Sequence, residues 1–418
     1  MFSPQVIFLT VLVFFLLVGI HEFGHFYFAR RAGILVREFA IGFGPKLFSY
    51  RKNETRYTIR LLPLGGYVRM AGEDPEVVSV NPGQSVALKV QDGQVTRLFV
   101  DQLDMRTDVY RGIVDSLDLE KKLRITLEAE GSLLSFPVHP QAQIVSKGTE
   151  TQIAPLNRQF GSKTVGQRAM AIFAGPMMNF LLAFILFLIF SWMTGIPEHV
   201  QLSKVLPNSA AAAAKLQPND VILSIEGKSI GADTEKMIQM ISSSAGKEMV
   251  WQVRRGDAVQ LVNITPQDQN GRGMVGIEIR LLSRKASPLE IVQGAGESMA
   301  FFTQEIFKGL QKLVSLQVKM DDLGGPVRMV EVTGQVANMG IVYLVKWAAL
   351  LSLYLGIFNL LPFPALDGSR LIFIGIEALR GKPVDPARES MVHFIGFAML
   401  MLLMLAVTYN DILRLFKG

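Results

Sequence analysis

Four apolar runs of bilayer length punctuate the chain: Phe8 to Ala29, Ala169 to Met193, Ile341 to Leu361 and Met391 to Tyr409. Each approaches the roughly 20 residues that a helix needs to cross hydrocarbon. The second and fourth carry no charge, and the third carries only Lys346. The pattern predicts a polytopic α-helical membrane protein with about four spans. The first run does not read as a cleavable signal, because no basic residue precedes its apolar core and no small-x-small site follows.

Between the runs the periodicity changes. In "ETRYTIRLLPLGGYVRM", Glu54 to Met70, the residues Tyr57, Ile59 and Leu61 alternate with Arg56, Thr58 and Arg60, and Pro63–Gly66 has turn composition. This predicts a β-hairpin in a membrane-associated region, residues 31–73. The hairpin either lies on the membrane or adds an extended peptide along its free edge. Residues 74–162 read as a strand-rich insert, through segments such as "QVTRLFV" and "LRITLEAEGSLLSFPV", and carry no chemical motif.

Residues 200–266 predict a small αβ unit. A strand and a turn at Pro207–Asn208 lead to an alanine-rich helix and a second strand. A helix over Asp233–Ser243 and strands at Met249–Arg254 and Gln260–Thr265 follow. The stretch "NDVILSIEGKSI" and the alanine pattern before it resemble a PDZ domain, assigned to 197–270, with Asn219 and Lys215 standing where glycine is usual. Lys285 to Lys319, within a linker region 271–338, reads as an amphipathic helix through Ile291, Met299, Phe302, Ile306, Leu310 and Leu313. The remaining boundaries put the spans at 1–30, 163–196 and 339–370, with a loop and the last span in 371–418.

Composition narrows the function. The chain has 418 residues, half of them hydrophobic, and a net charge of +6. Its basic residues form no aromatic-studded stripe, so a nucleic-acid partner is not expected. They do cluster beside the spans. Arg30, Arg31, Arg37, Lys46, Arg51 and Lys52 follow the first, Arg158, Lys163 and Arg168 precede the second, and Arg370, Arg380, Lys382 and Arg388 separate the third from the fourth. The positive-inside rule then puts the N-terminus outside, residues 30–168 in the cytoplasm and residues 197–338 outside. Arg414 and Lys417 run against that orientation. Cysteine is absent, which excludes thiol nucleophiles and cysteine-held metals; any metal must be bound by His and carboxylate groups.

The first run ends in "HEFGH". His21 and His25 are two of only five histidines, and they lie where polar groups are costly. Four residues apart on a helix, their rings share one face about 6 Å apart, which suits two bonds to one Zn²⁺. Glu22, about 100° around the helix, stands where a general base is needed. The bland alternative is a helix end with interfacial histidines. A third ligand is required, and His139, His199 and His393 are poorly placed, two in soluble segments and one opening the last span. Asp367, in "GIFNLLPFPALDGSR", is the stronger candidate: spans one and three run in the same direction and bring it to the same depth as the histidines. Its alternative is an N-cap. Asn359 either caps freed carbonyls of the stretch broken by Pro362 and Pro364, or contacts substrate.

The HEFGH motif, "IGFGP" at 41–45, the hairpin, "AGPMMN" at 174–179 and "NLLPFPALDG" at 359–368 occur in this order. Together they resemble the site-2 protease family of intramembrane zinc metalloproteases, in its shorter bacterial form with one PDZ domain. The resemblance implies one zinc ion held by His21, His25 and Asp367, with Glu22 as catalytic base. Asn359, with Pro362 beside it, is implied as a substrate contact, and the hairpin carrying Tyr57, Ile59 and Leu61 as the strand that presents substrate. It further implies a bacterial cell-membrane location and single-span membrane proteins as substrates, among them anti-sigma factors and remnant signal peptides, cut after an upstream protease has acted. Two other readings are a metal-ion transporter using the same three residues and a non-catalytic PDZ scaffold. The first would not need Glu22 beside the histidines and predicts internal repeats, which the sequence lacks; the second predicts a defective metal motif.

Overall fold

The computed structural model describes residues 3–73, 80–315, 317 and 324–417. The chain divides into two compact units, residues 1–183 with 302–418, and residues 184–301.

In the first unit, α1 (Pro4–Arg31) is started by Ser3, whose hydroxyl accepts from the Val6 N–H, and ends on Arg30 and Arg31, which complement the negative helix terminus. Two long strands follow, β1 (Val36–Lys52) and β2 (Thr55–Met70). The turn between them is at Asn53–Glu54, where Asn53 has φ 55°; the chain reverses again at Pro63–Gly66, but 36–41 lies between the segments on its two sides, so they do not pair as a hairpin. Each arm folds back on itself. Glu38 to Ile41 pair with Arg56 to Ile59 on one side and with Gly66 to Arg69 on the other, while Tyr50 and Phe48 pair with Tyr57 and Ile59. The result is a mixed four-stranded sheet with 66–70 at one edge and 46–52 at the other: each edge pairs antiparallel with its neighbour, and the two inner segments, 38–41 and 56–59, run parallel. Gly42 permits the fold-back: it has φ 92°, and a β-carbon there would stand 2.7 Å from the Leu62 carbonyl oxygen.

The insert is a closed barrel. Strands β3 (Ser85–Gln91), β4 (Gln94–Phe99), β5 (Tyr110–Asp118), β6 (Arg124–Ala129) and β7 (Ser132–Ser146) pair in the ring β4-β3-β5-β6-β7, and β4 meets β7 in parallel to close it. A ring with an odd number of strands must contain such a parallel pair. β8 (Thr149–Gln152) adds to β7. Leu88, Leu98, Ile125 and Leu127 fill the interior, each side chain contributing about 1.5–3 kcal/mol relative to exposure. The segment leaving the barrel ties down the sheet where the chain enters and leaves it: Leu35, Ala71 and Ala154 form one buried cluster, and the Leu35 N–H donates to Arg158 O.

α2 (Val165–Thr194) follows, and the rest of this unit consists of α5 (Pro288–Val314) beyond Phe302, α6 (Pro326–Met339), α7 (Ile341–Asn359), α8 (Asp367–Arg380) and α9 (Pro386–Lys417). Four of the described helices are long and apolar enough to cross a membrane, namely α1, α2, α7 and the Arg388–Arg414 stretch of α9. Their places match the four apolar runs. Phe26, Ala29, Val36, Met70, Ala171, Ile172 and Ile374 form one buried cluster joining α1, the sheet, α2 and α8. That cluster sets the positions of the polar residues beside it.

The second unit has a sheet ordered β13-β12-β10-β9-β16, made of β9 (Ile196–Val205), β10 (Val221–Ile225), β12 (Met249–Arg255), β13 (Ala258–Ile264) and β16 (Ile277–Arg284). Short β11 (Lys228–Ser229) pairs with β10, and β14 (Gln267–Gln269) with β15 (Arg272–Met274). α3 (Ala210–Ala213) and α4 (Thr234–Ser242) are the two expected helices, and Trp251, Ile222, Ile225 and Met237 lie in the core. The unit, expected to resemble a PDZ domain over 197–270, has a sheet that extends past residue 270. β16 pairs along all of β9, and its Ile277 and Ile279 complete the core while Leu281 and Leu282 stay exposed. Half-exposed alternation weakened the strand signal there. α5 takes up most of the Lys285–Lys319 helix; residues 316, 318 and 319 lie outside the described ones.

Candidate active site

α1 presents His21, Glu22 and His25 on its buried side, each below 8% exposed. Their neighbour is α2. Ala171, Gly175 and Asn179 recur every four residues and so form one stripe along that helix, set against His21 and His25, which have the same spacing. The carbonyl of Ala171 accepts from His25 Nδ1 at 2.9 Å, and the side-chain amide of Asn179 lies 3.0 Å from His21 Nδ1. Gly24 lets the helices touch, since a β-carbon there would stand 2.3 Å from the Ala174 oxygen.

Asp367 arrives from the break after α7. Leu360 to Leu366 are irregular, and α8 begins at Asp367 with no side-chain cap on its first N–H groups. The carboxylate is therefore not spent as an N-cap. Its Oδ2 lies 3.3 Å from His21 Nε2 and 3.4 Å from His25 Nε2. Gly368 makes this approach possible, because a β-carbon there would be 2.3 Å from the Leu360 oxygen and 2.4 Å from the Leu361 oxygen. Ala365, at φ 76°, donates its N–H to His393 Nδ1 of α9 at 3.1 Å, and Gly396 of α9 packs on Pro364. The last helix thus braces the loop that carries Asp367.

The two histidine Nε2 atoms are 3.2 Å apart. With Asp367 Oδ2 they make a triangle of lone-pair atoms with sides of 3.2, 3.3 and 3.4 Å. Oδ2 is buried and has no hydrogen-bond partner. Atoms bound tetrahedrally at 2.0–2.1 Å to one centre lie about 3.3–3.4 Å apart, so the donor set fits a zinc ion. It is also the one group of at least three such donors found among the described residues.

A cavity of about 1190 Å³ opens on this triangle, above the roughly 300–1,000 Å³ of common small-ligand pockets. Glu22, Asn359, Asp367, Arg370 and His393 line it, and so does the strand Gly66 to Met70. Among the described residues, that strand pairs with residues 36–41 on one side only. A β-carbon at Gly66 would stand 2.7 Å from Glu22 Cγ, so this edge runs directly along the glutamate. Tyr57 and Ile59 lie in the interior strand, paired on both sides, and neither they nor Leu61 nor Pro362 line the cavity. The alternation at 57–61 marked the sheet's most regular strand; the edge is set by the fold-back at 42–45 and 62–66. Arg168 pairs with Glu377 and Arg370 with Glu73 along the cavity wall. His393 was weighed only as a metal ligand, and Asn179, Ala171 and Gly175 were not singled out by the sequence. "AGPMMN" contains two of them, but only the α1–α2 contact gives them meaning.

Among proteins already described, a zinc metalloprotease RasP of Geobacillus kaustophilus is 46% identical over 413 residues, covering 97% of each chain. A regulator of sigma-W protease RasP of Bacillus subtilis is 45% identical, covering 97% of this chain and 98% of its own, and a probable protease eep of Enterococcus faecalis is 40% identical. A solved PDZ domain of an SdrC-like protein from Listeria monocytogenes is 24% identical, covering 20% of this chain and 87% of its own, with a TM-score of 0.18. The model of peptidase family M50 matches residues 9–403. The chain belongs to peptidase family M50.

Proposed function

We propose that this protein is a zinc-dependent intramembrane endopeptidase that cuts peptide bonds inside the transmembrane segments of single-span membrane proteins. His21, His25 and Asp367 are assigned as the protein ligands of one zinc ion, and Glu22 as the general base. The observation that carries this reading is the triangle of 3.2–3.4 Å among three buried lone-pair atoms at the end of an apolar helix. A zinc ion in that position supplies Lewis acidity, acidifying water and polarising a peptide carbonyl.

The chain's own residues do the rest. Glu22 takes a proton from the attacking water and returns it to the departing amine nitrogen. A substrate helix hides its carbonyls in internal hydrogen bonds, so it must unwind before attack. The edge 66–70 offers backbone groups to hold the unwound segment as an added strand beside Glu22. Asn359, in the cavity wall, offers amide hydrogen bonds to the same backbone. Arg69, Glu73, Arg168, Arg370 and Glu377 make the cavity polar enough to admit water.

The charge pattern supports a cell-membrane protein with residues 30–168 in the cytoplasm, and hence cutting in the inner half of the bilayer. The name of the Bacillus relative, a regulator of sigma-W protease, supports anti-sigma factors among the substrates; in this reading an upstream protease trims them first. The test is zinc analysis and cleavage of a single-span substrate by wild type and Glu22→Gln. The variant should keep its zinc and lose cleavage; undiminished cleavage would overturn the mechanism.

A further inference from the structure

We infer that Asn179 is a positioning residue, whose amide oxygen accepts the Nδ1 proton of His21 and so keeps His21 Nε2 free as a metal ligand. The inference rests on the zinc-site reading above. For both Nε2 atoms to offer lone pairs toward Asp367, each neutral imidazole must carry its proton on Nδ1. For His25 this is enforced by the Ala171 carbonyl at 2.9 Å, which can only accept. His21 faces an amide instead, at 3.0 Å. An amide can accept through oxygen or donate through nitrogen, and the two ends have the same shape.

The surroundings choose between them. With nitrogen toward His21, the ring proton would be forced onto Nε2, into the triangle with His25 and Asp367. The same orientation leaves Asn179 Oδ1 buried without a partner. Turning the amide over gives the oxygen an N–H and restores the His21 lone pair. Asn179 is completely buried, and its backbone oxygen accepts from Ser352 Oγ of α7 at 2.8 Å, which ties this point of α2 to α7. Ala171 and Asn179 are thus equivalent supports, two turns apart on α2, one for each histidine.

The test is zinc affinity of the purified full-length protein, read by competition with a chromophoric chelator, for wild type, Asn179→Asp, Asn179→Leu and His21→Ala. Loss of such a support weakens metal binding by about 10–100-fold, the expected result for Asn179→Leu. Asn179→Asp keeps an acceptor and loses the donor, so it should bind zinc at least as tightly as wild type. If Asn179→Asp binds more weakly than wild type, the nitrogen was the partner and the inference falls. It falls equally if Asn179→Leu binds like wild type. Should the leucine variant fail to fold, the sign of the aspartate effect decides alone. His21→Ala separates the two levels: zinc binding unchanged there overturns the site itself, whereas loss there with normal binding in Asn179→Leu overturns only the role of Asn179.

Discussion

Gly175 of α2 lies so close to His25 that a β-carbon in its place would stand 2.3 Å from Nε2, the atom facing His21 and Asp367. The absence of a side chain at one residue therefore leaves room for the coordinating face of another.

Gly175→Ala should displace the His25 ring and weaken zinc binding about tenfold or more, the scale of losing a group that orients a ligating histidine, with cleavage falling in parallel. Gly166, on the same helix with open space around it, is the control: Gly166→Ala should change neither. Chelator competition on both variants checks this. Equal zinc affinities would show that the α1–α2 contact tolerates a methyl group.

Gly66→Ala addresses the strand edge. Its new β-carbon would meet Glu22 Cγ and the Ala40 carbonyl oxygen, each at 2.7 Å. We expect zinc content to stay at the wild-type level while cleavage drops about tenfold or more, because a displacement near 1 Å at a catalytic group has a large effect on rate. A variant that cuts normally would separate this edge from catalysis.

Glu54 gives a pH-dependent prediction. It sits at the turn of the sheet and accepts from both Nη atoms of Arg158 at 2.6 and 2.7 Å, from Gln152 Nε2 at 2.6 Å and from Gln141 Nε2 at 3.2 Å. The Arg158 hydrogen bonds, helped by the two glutamines and opposed by partial burial, hold its carboxyl down to about 2, against an ordinary 4.5. A depressed carboxylate pKa stabilises the fold fully above the unfolded value and loses that contribution as pH falls from about 4.5 toward 2. Glu54→Gln should therefore be less stable than wild type at pH 7, on the order of 1 kcal/mol for a solvent-screened pair, and the gap should close on acidification. Thermal melts between pH 7 and pH 3 read it; a gap that widens in acid would contradict the assignment.

The PDZ-like unit can be removed cleanly. Ile196 opens β9 directly opposite Arg284 at the end of β16, so excising 196–284 leaves two neighbouring chain ends. The shortened protein should still cleave, and should cut untrimmed substrates more readily than the full chain if the unit acts as a filter. Cleavage of trimmed and untrimmed versions of one substrate measures this; an unchanged ratio removes the filter role.

Residue type and spacing along the chain were enough for the four spans, for His21, Glu22 and His25, and for Asp367 as their partner. Those features depend on local rules: an apolar run long enough for a bilayer and a helical turn that aligns residues four apart. Tertiary structure decided the rest. Which strand of the sheet is free depends on where β1 and β2 fold back, so the edge beside Glu22 is 66–70 and not the evenly alternating 57–61. Closure of the barrel rests on a parallel contact between β4 and β7, and neither strand's own pattern encodes its partner. Asn179 and Gly175 read alone as ordinary residues of an apolar helix. They become part of the site because α2 lies along α1 with the same four-residue spacing, and an alignment between two helices is a property of neither helix by itself.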